Sequence, residues 1–467
     1  MKKGIFIFML FTLSIPWLQD QLNIFSIKPL YGVATLTDKP TINFKHWWDG
    51  NFQTEYSKYE NEFFGIRTFF IRIFNQFDFS LFDKTHAEVV VGQNGYLFQD
   101  GYINEITGSD YIGEEAMQLN IENIQKVENY LRKKNIFLLT VLAPAKTDYY
   151  KEYLPHFSQK LISTTRNYSL FLKYIKIENI HFIDFNNWFL QLKNTSQYPL
   201  FPKQGIHWSS YGMFLAADSI IKYIEAKNKI RLSNISCTWK LSETLQGADY
   251  DLGELLNIYQ QLPYDKMVYP EFIIKHDSIA AHPRLLVIGD SFYWTIYNEG
   301  IYKKVFNNET FYYYNSTVSP KGVLPSDNVS DLNFLKEVEK YDVIILLQSS
   351  ANYGNPGVNF IQSLQNELSR YDIYFKKEKN RILNDDSLRN YSSQLAGKLN
   401  ISQDSAISLL SDSLTHDCLA IISQTKIQMR HNPEWMKSLN EKSQEQNKSV
   451  EQMMQSDAEW MLEQKNR

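Results

Sequence analysis

The 467-residue chain contains only two cysteines, Cys237 and Cys418. Two are too few for a disulfide scaffold, neither belongs to a Cys-x-x-Cys pair, and one bridge between them is the only disulfide the sequence permits. No group of Cys and His has metal-ligand spacing, so we expect no bound metal and no cofactor. Gly-x-Ser-x-Gly, His-Glu-x-x-His, Gly-x-Gly-x-x-Gly and P-loop motifs are also absent, which leaves the usual hydrolase elbow, zinc-protease and nucleotide sites without support.

Positive charge is not in excess, because 48 Lys and Arg against 52 Asp and Glu give a formal net charge of −4. Nucleic-acid binding needs a basic face, so we expect no nucleic-acid partner. Hydrophobic residues make up 43% of the chain and charged residues 21%, which is typical of a globular protein. At about 150 residues per domain, the length allows two or three domains.

The longest apolar run, Gly4 to Gln19, is short for a membrane span. Its roughly 16 residues would form about 24 Å of helix, against about 30 Å for a hydrocarbon core. The residues that follow offer no small-x-small cleavage site, which favours an uncleaved membrane anchor over residues 1–25. Lys2 and Lys3 would then stay on the cytoplasmic side, with the rest of this single-pass protein outside the cytoplasm. A cleaved signal peptide and a buried N-terminal helix are the alternatives.

Aromatic residues are abundant, at 15% of the chain, with 30 Tyr, 30 Phe and 9 Trp. Tyr and Trp join an apolar face to a polar edge, which suits sugar-binding clefts and membrane interfaces, although an aromatic core would use the same residues. Only Tyr391, Trp435 and Trp460 are aromatic in the polar C-terminal part. We therefore predict one domain over residues 40–375 and a helical packing or interaction tail over residues 376–467.

Helical patterns alternate with short apolar strands along the first of these regions. Strands are predicted over Ile136–Leu142, Arg284–Gly289 and Tyr341–Gln348, each a nearly continuous apolar run. A hairpin with an Asn-Gly turn is predicted over Glu88–Gln99. The alternation favours an α/β fold with a mostly parallel sheet that helices cover on both faces.

The strongest candidate for chemistry follows the second of these strands, which runs directly into Gly-Asp-Ser. Ser291 would stand at the carboxyl end of a parallel strand, where open α/β sheets bind their ligands, and the next helix would present N–H groups to an oxyanion. We place Asp290 among the substrate-binding groups. A serine hydroxyl needs a base to act as a nucleophile. The alternative is that Gly-Asp-Ser is only a turn.

Three other segments carry candidate site residues. His207 precedes a helical segment and is followed by Trp208. Histidine is the usual general base for a serine. The alternative is a loop histidine whose hydrogen bonds are purely structural. Lys146, just past the first strand, could bind an anionic sugar or an oxyanion, or could be a solvated loop lysine. Tyr314 and Asn315 follow another strand, where the Asn could donate to an oxyanion or form a turn.

The order of these motifs resembles the SGNH-hydrolase-like proteins of exopolysaccharide acetylation, among them the periplasmic alginate O-acetyltransferase components. The motifs are Ala-Pro-x-Lys, Gly-x-His-Trp-Ser and strand-Gly-Asp-Ser-Phe, and the resemblance covers about residues 40 to 370. It implies a three-layer SGNH-like domain, with Ser291 as the nucleophile, His207 as the catalytic histidine and Lys146 lining the site.

One position departs from the pattern of that family. The family commonly has Asp two residues before the histidine, and here that position is Gly205. The orienting carboxylate of a triad is therefore missing from its expected place. Asp184, at the end of another predicted strand, could substitute, and so could a backbone carbonyl.

Together these features predict an O-acyltransferase, of acetyl groups, that modifies a surface polysaccharide or exopolysaccharide outside the cytoplasm through an acyl-serine. The resemblance further implies a periplasmic location and a multi-pass membrane O-acyltransferase as the partner that delivers the acyl group. A carbohydrate esterase of the same fold is one alternative. A non-catalytic polysaccharide-binding or assembly factor is another, favoured by Gly205. The sequence carries no signal that identifies the polymer, the acyl donor or the oligomeric state, and acetyl is the acyl group that the resemblance implies.

Overall fold

The computed structural model describes residues 2–26, 28–32, 37–63, 65–274 and 279–465. Met1 of the predicted anchor and Asn466 and Arg467 of the predicted tail lie outside the described residues.

Strands and helices follow one another along the whole described chain. The strands, in chain order, are β1 (Val89–Val91), β2 (Leu97–Gln99), β3 (Phe137–Leu142), β4 (Phe182–Asp184), β5 (Ile235–Ser242), β6 (Met267–Ile274), β7 (Arg284–Gly289), β8 (Asn307–Tyr313), β9 (Thr317–Ser319) and β10 (Val343–Gln348). The helices are α1 (Lys2–Leu22), α2 (Phe44–Trp48), α3 (Asn51–Phe63), α4 (Arg67–Phe82), α5 (Asp100–Thr107), α6 (Glu114–Lys133), α7 (Lys146–Tyr149), α8 (His156–Lys160), α9 (Asn167–Ile177), α10 (Phe185–Leu192), α11 (Ser210–Asn228), α12 (Asp251–Leu255), α13 (Phe292–Asn298), α14 (Phe334–Val338), α15 (Phe360–Asn384), α16 (Asp386–Leu399), α17 (Gln403–Arg430), α18 (Pro433–Gln446) and α19 (Val450–Lys465).

The central sheet has six strands in the order β4-β3-β10-β7-β8-β9. Its first five strands run parallel, and β9 pairs antiparallel with β8. Apart from Arg284, β3, β7 and β10 are almost wholly apolar, and every residue of β10 is buried. Such strands are stable where both faces are covered. The predicted α/β fold with a mostly parallel sheet is confirmed.

Alternate residues of the strands point into two separate cores. On one face Leu138, Leu286 and Ile344 pack with helices α6, α9 and α15. On the other face Val287 and Ile345 pack with helices α10, α11 and α13. The sheet is therefore the middle of three layers. The loops that follow its parallel strands emerge at its carboxyl edge, between the two cores.

The C-terminal helices extend the first of these cores. Cys418, Ile422 and Met429 of α17 are buried in the same cluster as the sheet residues. Helix α15 runs through residue 376 without a break, so the change in composition there does not coincide with the end of an element. Cys418 and Cys237 are both free thiols.

Two hairpins stand apart from the central sheet. β1 and β2 form the predicted one, and Asn94 in its turn has a φ of 53°. The second, β5–β6, pairs eight residues of each strand between α11 and β7. This second hairpin is not among the elements predicted from the sequence.

The N-terminal segment is helical, and much of its apolar surface faces outward. Residues such as Ile5, Phe8 and Leu13 of α1 are exposed. Within the described ranges, no helix combines the length and the apolar character that a membrane crossing requires. The membrane anchor over residues 1–25 is therefore not shown, and it stays a prediction.

Candidate active site

Three side chains form a continuous hydrogen-bonded row at the carboxyl edge of the sheet. His207 Nε2 lies 2.9 Å from Ser291 Oγ, and His207 Nδ1 lies 2.7 Å from Asp251 Oδ2. Because an ionised carboxylate accepts only, Nδ1 carries the proton and Nε2 is free to accept from the serine hydroxyl. A serine, an imidazole and a carboxylate in this order have the geometry of a nucleophile, its base and the group that orients the base.

The end of β7 presents Ser291 to this row. A side chain at Gly289 would place its Cβ 2.7 Å from the carbonyl oxygen of Leu347, so the strand exit has no room for one. Ser291 stands immediately before α13 and is partly exposed, so a substrate can reach its hydroxyl. Among the described residues, its backbone N–H has no hydrogen-bond acceptor.

Asp290 holds this turn in place from within the protein. Its Oδ1 accepts from the backbone N–H of Phe292 at 3.1 Å. Its Oδ2 accepts from the N–H and the hydroxyl of Ser349, each at 2.7 Å, and from the amide of Asn352 at 2.8 Å. Asp290 is completely buried. The structure therefore corrects its assignment to the substrate-binding groups, because its oxygens tie the end of β7 to the end of β10.

His207 lies in a loop that is fixed on both sides by its neighbours in sequence. Ser209 caps α11 by accepting from Gly212 N–H, and its own hydroxyl donates to the Pro199 carbonyl at 2.7 Å. Trp208 is 1% exposed, and its indole N–H donates to Thr295 Oγ1 at 2.6 Å. Trp208 is thus a core residue, and the expectation that it contacts substrate is wrong.

Asp251, which supplies the carboxylate, is not among the predicted site residues. It is the first residue of α12, and its Oδ1 accepts from the N–H groups of Ile206 at 2.9 Å and Leu252 at 2.7 Å. The bond to Ile206 joins the α12 segment to the loop that carries His207. Asp251 follows His207 by 44 residues and belongs to no local motif, so the sequence offers no spacing signal for it.

Asp184 does not lie beside His207, which corrects the suggestion that it orients the imidazole. Its side chain caps α10 by accepting from Asn187 N–H, and it also accepts from the Tyr168 hydroxyl at 3.1 Å. Burial raises the pKa of this carboxyl. Asp184 therefore stabilises a helix end at the outer strand of the sheet.

Gly205 explains why the carboxylate comes from another segment. A Cβ at this position would lie 2.5 Å from the Ala248 carbonyl oxygen and 3.0 Å from the Asp249 carbonyl oxygen. The segment before α12 therefore packs directly on the backbone where the family pattern has an Asp. This close approach is what brings Asp251 within reach of His207.

Lys146 contacts the loop that carries His207. Its Nζ donates to the carbonyl oxygens of Leu97 at 2.8 Å, Lys203 at 2.8 Å and Gly205 at 2.7 Å. Burial lowers the pKa of Lys146 to about 7, and the three carbonyls oppose that effect, because only the ammonium form has three N–H groups to donate. With every donor used and 2% exposure, Lys146 is not available to a sugar or an oxyanion as predicted.

Tyr314 and Asn315 form the turn between β8 and β9, and they point to different places. Both have a φ of 49°. The Tyr314 phenol lies beside Asn352, and burial, aided by the charge of Asp290, raises its pKa to about 12. Asn315 instead donates to Ser363 Oγ at 3.4 Å and faces a pocket beside the C-terminal helices. Tyr314 therefore stays a candidate lining residue, whereas the proposed oxyanion role of Asn315 is wrong.

A second carboxyl lies close to the row. Asp249 is 3% exposed and accepts from the Tyr269 hydroxyl of β6 at 2.7 Å. Burial, with the nearby charge of Asp251, raises the pKa of Asp249 to about 7. Within the described residues, no three His, Cys, Asp or Glu side chains are grouped to hold a metal ion.

Comparison with known proteins agrees with the resemblance seen in the motifs. The family model of the SGNH hydrolase-like domain of the acetyltransferase AlgX matches residues 89–292, from β1 to just past Ser291. The predicted SGNH-hydrolase-like resemblance is confirmed for this segment. The probable alginate O-acetylase AlgJ of Azotobacter vinelandii is 25% identical over 268 residues, which are 56% of this chain and 62% of that protein. The chain thus matches about three fifths of the length of this curated relative.

Two solved structures are also similar. The O-acetyltransferase domain of Pseudomonas putida AlgJ is 14% identical, with 60% of this chain and 100% of that chain covered and a TM-score of 0.39. Pseudomonas aeruginosa AlgX is 13% identical, with 59% of this chain and 67% of that chain covered and a TM-score of 0.39. Both TM-scores are low, so neither likeness establishes a common fold over the aligned length.

Proposed function

We propose that this chain is an O-acetyltransferase that modifies hydroxyl groups of a surface polysaccharide through an acetyl-serine at Ser291. The observation that carries the proposal is the row Asp251–His207–Ser291, with both hydrogen bonds shorter than 3 Å and the serine partly exposed. The similarity to a probable alginate O-acetylase supports the choice of acetyl group and of a polysaccharide acceptor.

The geometry supports a two-step reaction. In the first step Ser291 Oγ attacks the carbonyl carbon of the acetyl donor while His207 Nε2 takes the hydroxyl proton, and His207 then gives that proton to the departing group. Asp251 stabilises the imidazolium that forms in between. In the second step a sugar hydroxyl loses its proton to His207 and attacks the acetyl-serine, and Ser291 recovers its proton as it leaves.

The tetrahedral intermediates of both steps carry a negative oxygen. The backbone N–H of Ser291 has no acceptor among the described residues, and it stands at the strand exit where that oxygen would form. The removal of one such donor typically lowers kcat by about 10²–10³. We assign this N–H to the oxyanion, in line with the backbone N–H groups that the sequence suggested after this strand, and in place of Lys146 and Asn315.

The proposed setting follows the resemblance. The main domain would lie outside the cytoplasm, in the periplasm, where acetyl-CoA is not expected, and a multi-pass membrane O-acyltransferase would deliver the acetyl group. Lys2 and Lys3 at the start of α1 favour the orientation in which this end faces the cytoplasm. The N-terminal helix would hold the protein at the cell membrane.

The non-catalytic alternative loses the observation that favoured it. That alternative rested on Gly205, which removes the expected carboxylate. The structure places the carboxylate of Asp251 on His207 Nδ1 instead, at 2.7 Å. Serine, imidazole and carboxylate therefore form one hydrogen-bonded row, which supports acyl transfer through Ser291.

Incubation of the protein with a chromogenic acetyl ester tests the proposal directly. We expect release of the chromophore and a mass increase of about 42 Da on the intact protein, because an acetyl replaces a hydrogen on Ser291. Ser291→Ala should lose both signals. Ser316→Ala, which removes an exposed serine from the turn after β8, should keep both. An adduct that persists in Ser291→Ala would contradict the proposal.

A second measurement separates transfer from hydrolysis, which share the same nucleophile and base. The acetylated protein is mixed with a polysaccharide-derived oligosaccharide, and acetyl-sugar is counted against free acetate. An excess of acetyl-sugar is expected for a transferase. Free acetate alone, at a rate that the oligosaccharide does not change, would identify an esterase instead.

A further inference from the structure

A large cavity lies between the N-terminal helices and the segment that carries Asp251. Its volume is about 780 Å³, within the range of small-molecule sites, which is about 300–1,000 Å³. Its walls are largely apolar and include Ile15 of α1, Phe25 after it, Phe70 of α4, and Ile258. Such walls suit a hydrocarbon chain, and they offer few hydrogen-bond partners to water.

One wall of the cavity contains a buried cation that has no anionic partner among the residues the structure describes. Arg72 is 9% exposed, and within that part of the chain it donates to backbone carbonyl oxygens alone, those of Ile258 at 3.3 Å and Pro29 at 2.8 Å. Its Nε–H is buried without any acceptor in the described part of the chain. The other cation of the wall, Lys28, is already paired with Glu254 at 2.6 Å.

A buried guanidinium without a counter-ion is costly, and an anionic ligand would remove that cost. Removal of a charge from water is unfavourable unless an opposite charge compensates it. Arginine matches phosphate and carboxylate well, because its planar fork donates two parallel N–H bonds. The cavity therefore combines the two parts that recognise an anionic amphiphile, namely apolar walls for a chain and one cation for the headgroup.

The surroundings of the cavity favour a membrane as the source of this ligand. Phe69, Phe74 and Phe77 of α4 are 41%, 56% and 58% exposed, and Phe8 of α1 is 67% exposed. Both helices contribute residues to the cavity wall, Phe69 among them, so the cavity and these exposed aromatics lie on the same two helices. A free fatty acid would need the cavity alone, whereas a bilayer would also cover the exposed aromatic residues.

We propose that the cavity binds an anionic membrane phospholipid, with an acyl chain against the aromatic walls and the phosphate at Arg72. The cavity wall adjoins the segment that carries Asp251, since Tyr250 and Gly253 of the wall lie on either side of Asp251 in the sequence. The proposal makes no use of Ser291 chemistry, so it stands or falls independently of the acetyltransferase assignment.

Photolabelling in vesicles tests the proposal. The full chain is mixed with phosphatidylcholine vesicles that contain phosphatidylglycerol with a diazirine on its acyl chain, and labelled peptides are identified by mass spectrometry. We expect labels on the peptides of α4 and of residues 253–261, about tenfold above those from phosphatidylcholine with the same chain, which corresponds to about 1.4 kcal/mol. Equal labelling by both lipids, or labels confined to α1, would overturn the proposal.

Variants of the cavity wall sharpen the test. Arg72→Gln should reduce the preference for phosphatidylglycerol to that of the neutral lipid. Arg67→Gln removes a cation from the same helix outside the cavity wall, and it should leave the preference unchanged. Thermal melting shows whether Arg72→Gln folds. If it does not, Phe70→Glu is used instead, at a position that is 53% exposed. This variant places a negative charge in the wall and should also abolish the preference for phosphatidylglycerol.

A last arm distinguishes the source of the ligand. A fatty acid with the same diazirine is added to the protein without vesicles, at the same total concentration. We expect at most one tenth of the labelling seen with the vesicles. Equal or stronger labelling of the same peptides would identify a free fatty acid as the ligand and overturn the membrane assignment.

Discussion

At the scale of single residues, the decisive contact is the one between His207 and Asp251. The carboxylate fixes the proton on Nδ1 and so leaves the lone pair of Nε2 facing Ser291. The same Asp251 accepts from Ile206 N–H, so one side chain sets both the tautomer and the position of the imidazole. Removal of its charge should therefore affect the chemistry far more than the fold.

We predict that Asp251→Asn lowers kcat for acetyl-ester turnover by about 10²–10⁴, because the amide no longer stabilises the imidazolium and can hold the wrong tautomer. The measurement is the rate of chromophore release under saturating ester. Asp184→Asn serves as the matched control and should change this rate less than about threefold, because Asp184 caps α10. The opposite order of the two effects would show that Asp251 does not orient His207.

Lys146 gives a second prediction at this scale. Lys146→Met leaves the carbonyl oxygens of Leu97 and Gly205 buried without this donor, whereas the Lys203 carbonyl keeps the Leu97 N–H at 3.1 Å, and we expect the substitution to lower the free energy of unfolding by about 3–5 kcal/mol. Urea unfolding measures the change. Lys203→Met, which removes a partly exposed amine, should cost less than about 1 kcal/mol. A Lys146→Met protein of normal stability that has lost only substrate affinity would instead support a substrate contact.

Ser291 and His207 could be predicted from sequence because each lies in a short motif beside an apolar strand or helix, and parallel strands bring their carboxyl ends together. Trp208 and Lys146 could not be assigned in the same way. The sequence around Trp208 would be the same whether its ring stacked on a sugar or, as observed, packed on Phe292. Only its burial in the structure distinguishes these two roles. Asp251 reaches the site through a tertiary contact, for which a single sequence offers no signal.

At the scale of elements, the segment that leads into α12 is positioned by contact with a glycine. The carbonyl oxygens of Ala248 and Asp249 rest on Gly205, and Asp251 follows two residues later. The apolar strands were evident in the sequence because burial on both faces demands continuous apolar residues. The β5–β6 hairpin was not predicted, although β5 alternates apolar and polar residues, because Pro270 interrupts the pattern of β6 and the two strands are far apart in the chain.

We predict that Gly205→Ala lowers kcat by about tenfold or more, because the added Cβ would push the segment before α12 away from His207. The free energy of unfolding should fall by about 1–3 kcal/mol at the same time. Both are measured on the purified variant, by ester turnover and by urea unfolding. Gly397→Ala is the matched control, since its Cβ would meet nothing within 4 Å, and it should stabilise the protein by about 0.5–1 kcal/mol. A fully active Gly205→Ala would contradict this account of how Asp251 is placed.

At the scale of the whole molecule, the C-terminal helices and the sheet share one core. Ile422 of α17 is 3% exposed in the same cluster as Leu286 and Ile344 of the central strands. The sequence indicated a change in composition after residue 375, but composition alone does not tell whether a polar helical tail packs on its neighbour. The buried face of α17 mixes apolar residues with Ser411, Thr415 and Thr425, so it does not stand out as an apolar stripe in the sequence.

We predict that Ile422→Ala lowers the stability of the sheet and of the tail together, by about 2–4 kcal/mol. Tryptophan fluorescence, which includes the buried Trp208, and far-UV circular dichroism should give coincident transitions in urea. Ile373→Ala, on the exposed side of α15, should change stability by less than about 0.5 kcal/mol. Because Trp435 and Trp460 also contribute to the fluorescence, two transitions in either probe would show that the tail folds as an independent unit.

The two outer strands of the central sheet are each only three residues long. β4 closes one edge, and β9 closes the other in an antiparallel hairpin with β8. A neighbouring chain that tried to add a strand would find only a short ladder of backbone groups at β4, and at the other edge residues 327–329 already bond to β9. The sheet therefore resists edge-to-edge aggregation without being closed into a barrel. We expect copies of this protein to associate through side-chain surfaces rather than through shared strands.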